Sequence, residues 1–190
     1  MGMPAAQSHR WTADDVRRLR DESTHWPHYE CIDGELLVSP GPAVAHQRAV
    51  REMLRCLMPY LERERFGELF VGESDLEIRP DTTVQPDVFV IPLGAKPIGA
   101  WSDIECTLLV IEVLSPSTAH YDRGIKRRHY QQAGVDEYWI VDLDSRLVER
   151  WRPEDKRPEI LTERLEWQPA GAGAPLTIDL PALFADVGAE

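Results

Sequence analysis

Two acidic residues in apolar surroundings carry the chemistry of this chain: Asp87 in Gln85-Pro86-Asp87, and Glu112 in Leu109-Val110-Ile111-Glu112-Val113-Leu114. A carboxylate inside an apolar core strand is strongly disfavoured unless its charge is compensated. A divalent metal compensates two such groups at once. After Glu112 the breaker Ser115-Pro116-Ser117-Thr118 leads into a helical stretch from Tyr121 to Ala133, where Asp122 and Lys126 stand four apart on one face. Two strand carboxylates and a lysine returned by the next helix can hold a metal, activate a water and stabilise a developing anion. That is the equipment of phosphodiester hydrolysis. The same residues have a plainer reading: Asp87 at a turn, Glu112 paired with an arginine, and Asp122 with Lys126 as a surface ion pair worth roughly a few tenths of a kcal/mol.

The elements that must position these groups follow from pattern. Thr12 before Ala13-Asp14-Asp15 reads as the N-cap of a short leading helix reaching about Glu22. Tyr29 to Ile32 and Glu35 to Val38 flank Asp33-Gly34, a strong hairpin signal. A long helix is expected from Ala43 to about Arg65, with Val50, Met53, Leu54, Leu57 and Leu61 facing a sheet and a kink or break near Leu57-Met58 imposed by Pro59. Strands are predicted over Gly67 to Val71, Ser74 to Ile78 and Val84 to Ile91, the last carrying Asp87, with Pro86 demanding an edge, a bulge or the strand's start. Pro92 to Ser102 reads as a mobile loop. Thr107 to Leu114 is the central strand, and the helix after it, capped at Gly134, returns the chain to a parallel strand over Glu137 to Asp142. Leu147 to Trp151 completes a hairpin, and Pro158 to Leu165 and Leu176 to Ile178 add edge strands.

At 190 residues the chain holds one domain, with a core over about 11–151 and a C-terminal extension over 152–190. Cys31, Cys56 and Cys106 are widely spaced without a Cys-x-x-Cys pair, which argues against a zinc ribbon or a disulfide framework and reads as buried thiols in a reducing compartment. No signal sequence opens the chain, and the run Cys106 to Leu114 is too short to span a bilayer, so a cytoplasmic location and no membrane partner are expected. The net charge of −12 counts against a nucleic-acid partner, because affinity for phosphate backbones comes from clustered Lys and Arg. Local charge differs: Arg123, Lys126, Arg127 and Arg128 fall within six residues beside the acids, and Arg17, Arg18 and Arg20 form a second cluster. Either cluster reads equally as a solvated helix face.

The order of motifs from Trp11 to Trp151 resembles the Uma-type restriction endonuclease family, within the PD-(D/E)xK nuclease superfamily. The likeness rests on Tyr29-Glu30-Cys31-Ile32-Asp33-Gly34-Glu35-Leu36, His46, Pro86-Asp87, Glu112-Val113-Leu114-Ser115-Pro116-Ser117-Thr118, Asp122 and Lys126 with Tyr130, and Gly134-Val135-Asp136-Glu137-Tyr138-Trp139. The resemblance implies an α/β (α+β) fold of the restriction-endonuclease type: a mixed sheet flanked by helices, with an added N-terminal helix and hairpin. It implies catalytic Asp87, Glu112 and Lys126, with Asp87 and Glu112 binding Mg²⁺ or Mn²⁺. It also implies DNA as the substrate and a homodimer, since cutting two strands takes two sites. One departure matters. The superfamily's lysine stands two residues after the second acid, where this chain has Leu114, and Lys126 looks like its migrated replacement.

Hard oxygen ligands suit Mg²⁺, which keeps several waters and needs only one or two carboxylates. Lys126 can then position or help deprotonate the attacking water. Glu30 can complete the metal shell or orient Lys126, or it is a hairpin surface carboxylate. His46 can contact substrate or a ligand carboxylate, or serve as a structural hydrogen-bonding residue. Gln85 faces the site or starts the strand, and Asp122 tethers the lysine or caps its helix. Arg123 and Arg127 are the expected contacts to substrate phosphates. Tyr130, Tyr138 and Trp139 should face the core or a subunit contact.

Overall fold

The computed structural model describes residues 9–22, 27–72, 74–94 and 99–188. Thr12 caps the leading helix α1 (Ala13–Glu22): its Oγ1 accepts from the Asp15 N–H, and the Asp15 carboxylate accepts from the Thr12 N–H and hydroxyl. Asp33 and Gly34 take φ of 55° and 78°, the turn whose twist matches paired strands, and close the hairpin of β1 (His28–Ile32) and β2 (Glu35–Ser39). α2 (Val44–Glu64) follows and runs unbroken through Pro59. The expected break is missing because the apolar face of α2 packs along its whole length, with Met53, Leu57, Tyr60 and Leu61 buried on both sides of the proline.

β3 (Gly67–Val71), β4 (Leu76–Arg79), β5 (Thr82–Val84) and β6 (Val88–Pro92) come next. The single strand expected over Val84 to Ile91 is therefore two strands, and they belong to different sheets. Pro86 is the physical reason, since it cannot donate to a ladder and so marks the point where the chain leaves one sheet and enters the other. Asp87 occupies that junction. Of the expected loop over 92–102, residues 95–98 lie outside the described residues, and a 3₁₀ turn covers Trp101–Asp103.

β7 (Leu109–Val113) leads to a helical stretch made of α3 (Ala119–Tyr121), a π-helical turn (Asp122–Lys126) and α4 (Arg127–Gln132). Gly134 ends it with φ of 74°, and the Val135 N–H reaches back to the Tyr130 carbonyl, the six-to-one bond of a Schellman cap. Then follow β8 (Glu137–Asp142), β9 (Leu147–Trp151), β10 (Glu159–Leu161), β11 (Arg164–Trp167), β12 (Leu176–Asp179) and α5 (Leu180–Gly188).

The main sheet has the order β10-β9-β8-β7-β6-β3, and the expected parallel pair is β7 with β8. A four-stranded antiparallel sheet, β2-β1-β5-β4, stands beside it, and β11-β12 form a separate hairpin. One face of the main sheet buries Val90, Leu109, Ile111 and Trp139 against α2 and α5. The other buries Phe89, Val110, Tyr138 and Ile140 against Tyr130 of α4 and against Ile32, Leu76 and Val84 of the four-stranded sheet. The segment expected as an extension lies inside the first of these cores, which takes Leu165, Trp167, Ile178, Leu180, Leu183 and Phe184 from it. Cys106 departs from its expected burial: it is exposed, while Cys31 is buried and Cys56 half-buried. No described helix is long and apolar enough to cross a membrane.

Since Phe184 is only 5% exposed and packs in the core shared with α2, Phe184→Ala should destabilise the protein by about 3–5 kcal/mol, read as a lowered urea midpoint.

Candidate active site

Glu112 is the fourth residue of the fully buried strand β7. The β6–β7 register pairs Val88 with Ile111, and carried one residue further it sets Asp87 opposite Glu112. Opposite residues of an antiparallel pair share a face, with Cβ atoms about 4.5–5.5 Å apart. The two acids line the same cavity. Asp87 is fixed by the Val113 N–H, which donates to its Oδ2 at 2.7 Å, and by His46 Nε2, 3.2 Å from the same oxygen. Burial opposes a charge on His46, but the Asp87 carboxylate outweighs it and holds the imidazole pKa above its ordinary value.

The helical stretch after β7 crosses this face. Its π turn carries both Asp122 and Lys126, and such turns concentrate at functional sites. Lys126 Nζ lies 2.9 Å from Glu30 Oε1, 3.1 Å from Glu112 Oε1 and 3.6 Å from Asp122 Oδ1. All four side chains are at most 6% exposed. Burial disfavours the ammonium, but Glu112, Glu30 and Asp122 together push its pKa well above the usual lysine range. Burial also drives Glu112 well above the usual carboxylate range; Lys126 pulls it down, while Asp122, Asp87 and Glu30 push it further up. Asp122 is raised for the same leading reason, its burial. One amine faces more negative charge than it can neutralise.

Further polar contacts hold the floor in shape. Gln85 donates its backbone N–H to Glu30 Oε1 at 2.7 Å and its side-chain amide to Asp75 Oδ1 at 3.2 Å. The Gln85 Oε1 sits 3.0 Å from His28 Nδ1. Tyr130 donates its hydroxyl to Glu112 Oε1 at 3.0 Å. The sequence expectation placed Tyr130 in the core or at a subunit contact, and its ring is buried in the core; the recurrence of Asp122, Lys126 and Tyr130 at fours also sets its hydroxyl on the site's stripe. Asp75 had no such signal, because its partners Arg17, Arg20 and Gln85 come from distant segments.

The floor opens into a cleft of about 790 Å³, lined by Glu30, His46, Gln85, Asp87, Glu112, Asp122 and Lys126 and walled by the loops 39–43 and 115–118. Every expected catalytic and metal-binding residue is thus brought to one cavity, with the residues named as possible supports. Arg123 and Arg127 are not. Arg123 binds Asp142 and Glu149 at 2.7 Å each, and Arg127 lies over the Trp151 ring and bonds Gln131 at 2.8 Å. One step along a helix is a turn of about 100°, so the neighbours of Asp122 and Lys126 face away from the cleft.

Among the described residues no three His, Cys, Asp or Glu side chains form a ready metal cage. Mg²⁺ itself needs only one or two carboxylates and keeps several waters. The donors fit Mg²⁺: they are carboxylate oxygens, they outnumber the nearby cations, and Asp122 Oδ1 is buried without a hydrogen-bond partner.

The Uma2 family, described as a "putative restriction endonuclease", matches residues 13–185. The chain belongs to the Uma2 family. A relative in Synechocystis sp., the uncharacterized protein slr1290, is 30% identical over 133 residues, or 67% of each chain. The chain also resembles the crystal structure of a "putative nuclease belonging to DUF820" from Anabaena variabilis, with a TM-score of 0.71 and 21% identity over 90% of this chain and 98% of that one. The likeness shows that this Uma2 member shares that protein's fold over 90% of its length.

Lys126→Met leaves Glu30, Glu112 and Asp122 buried without their cation, and should cost about 3–5 kcal/mol in a denaturant titration. The sign with pH follows: carboxylate pKa values raised in the folded variant make it bind more protons folded than unfolded, so its stability falls as pH rises. The deficit against wild type should be larger near pH 8 than near pH 5.

Proposed function

We propose that the chain is a metal-dependent nuclease that hydrolyses DNA phosphodiester bonds in this cleft. The observation that carries the reading is the meeting of Lys126 Nζ with Glu112 at 3.1 Å in the cavity that Asp87 also lines. Asp87 and Glu112 are the residues that would hold Mg²⁺ or Mn²⁺. The bound ion supplies Lewis-acid charge to the phosphoryl oxygens and makes water at the site more acidic. The family description supports a nuclease, and the hard-oxygen donor set supports the choice of ion.

The remaining roles belong to the side chains. Lys126 offers its ammonium protons to the attacking water and to the phosphoryl oxygens as negative charge builds on them. Glu30 and Asp122 hold the amine in place, and Tyr130 fixes the Glu112 carboxylate on one oxygen. His46 does the same for Asp87. In the step itself the water oxygen bonds to phosphorus and the bond from phosphorus to the leaving sugar oxygen breaks. A proton of the water passes to solvent at the cleft mouth, and the leaving oxygen takes one up. Lys126 reaches Glu112 from the following helix while position 114 holds a leucine, which supports its role as the replacement.

Mn²⁺ or Mg²⁺ should raise the melting temperature, by binding the folded state alone, and should switch on cleavage of labelled DNA. Asp87→Ala should lower that cleavage by at least ~10³-fold while keeping a folded melting transition, in line with loss of charge stabilisation at the reacting centre. An unchanged melting curve at saturating metal together with no cleavage of any DNA would remove the reading.

A further inference from the structure

The cleft's walls and charges say which form of phosphodiester fits, given that the cleft is read as a hydrolase site. A duplex carries one negative charge per about 1.7 Å of its axis, and proteins that hold it neutralise several phosphates with Lys and Arg. Among the described residues lining the cleft the only Lys or Arg is Lys126; two histidines, His28 and His46, also line it. Lys126 is already surrounded by carboxylates. Of the arginines close by in sequence, Arg51 and Arg55 both bind the buried Glu52 and Arg123 binds Asp142 and Glu149, while Arg48 stands beside the lining residue Gln47 but is not itself part of the lining. Among the described residues the lining itself offers no row of Lys or Arg leading to the floor.

The shape agrees. The reacting groups lie at the bottom of a recess, with Lys126 and Glu112 only 4% and 6% exposed at their side chains. The space above them, about 790 Å³, is that of a small-ligand site, for which roughly 300–1,000 Å³ is usual. Its walls are carbon surface from Pro40, Pro42, Val50, Leu54, Val71 and Pro116, and one lip presents the hydroxyls of Ser115, Ser117 and Thr118. Carbon walls take sugars and base faces that have no partner strand, and neutral hydroxyls serve phosphate oxygens without a field.

We infer that the cleft takes a phosphodiester of about dinucleotide length whose flanking bases are unpaired, and that it does not take duplex DNA. Such a group comes from a single-stranded stretch or tail, or from a free dinucleotide. With few phosphates neutralised, binding depends weakly on salt. The slope of log K against log[salt] should be about 1–2 in magnitude, where a protein that grips 6–10 phosphates gives a slope several times steeper.

The test uses the full chain in Ca²⁺ for binding by fluorescence anisotropy, and in Mn²⁺ for cleavage. The probes are a labelled single strand of about 16 nucleotides, its blunt duplex, the duplex with a short unpaired tail, and the free dinucleotide TpT as competitor. The single strand and the tailed duplex should bind at least ~10-fold tighter than the blunt duplex, with the shallow slope, and be cut in the unpaired part. Full displacement by TpT at equal affinity assigns a free dinucleotide, and a much tighter strand assigns the polymer; both support the inference. Gly72→Glu adds bulk and negative charge at a lining position where a Cβ meets open space. It should abolish binding with the melting temperature unchanged. A blunt duplex bound as tightly as the single strand, or with a steep slope, overturns the inference and leaves the hydrolase reading intact. Preferential binding of unpaired probes without any cleavage upholds the inference and sinks the hydrolase reading. Absence of binding to every probe overturns both.

Discussion

A single buried ammonium organises this protein. Lys126 sits within hydrogen-bonding reach of Glu30 and Glu112 and close to Asp122, and these come from three separate parts of the chain: the β1 strand, the central strand β7 and the π turn itself. No one of these charges is tolerable in the interior alone. Bringing them together fixes the hairpin sheet and the crossover helix relative to the main sheet, because each contributes a charge the others require. Three carboxylates around one amine leave the floor with a negative excess.

The position of Asp87 follows from a different constraint. Pro86 stops the chain from continuing as one strand, so β5 stays with the hairpin sheet while β6 joins the main sheet. The residue just past that break is not part of either ladder, and its side chain is free to accept from the Val113 N–H across the gap. A fork between two sheets thus leaves a carboxylate where both the central strand and the start of α2 reach it. His46 reaches it from α2.

Much of this was readable in the sequence, and the failures have physical causes. The acids, the lysine, the parallel β7–β8 pair and the Asp33-Gly34 turn were legible because each rests on local chemistry: a charge in an apolar run, a four-residue spacing, a turn that needs positive φ. Arg123 and Arg127 misled because closeness in sequence to Lys126 says nothing about the face a helical residue occupies, and theirs turns to Asp142, Glu149 and Trp151. The helix α5 went unread: Pro181 and a stretch of only nine residues hide an apolar face formed by Leu180, Leu183, Phe184 and Val187. Its existence depends on the long-range match with α2, which no local window contains. The split of the strand at Pro86 was half legible, since proline announces a break but not which sheet each half will join.

Gln85 links the site to the leading helix. Gln85 gives its N–H to Glu30 and its amide to Asp75, and Asp75 in turn is held by Arg20 at 2.5 Å and approached by Arg17 at 3.6 Å, both on the leading helix. The first helix is therefore a strut for the lysine cage. Natural variation that shifts α1 by a fraction of an ångström is transmitted to Glu30 through directional polar links, whereas the same shift of a purely greasy contact would be absorbed by neighbouring side chains.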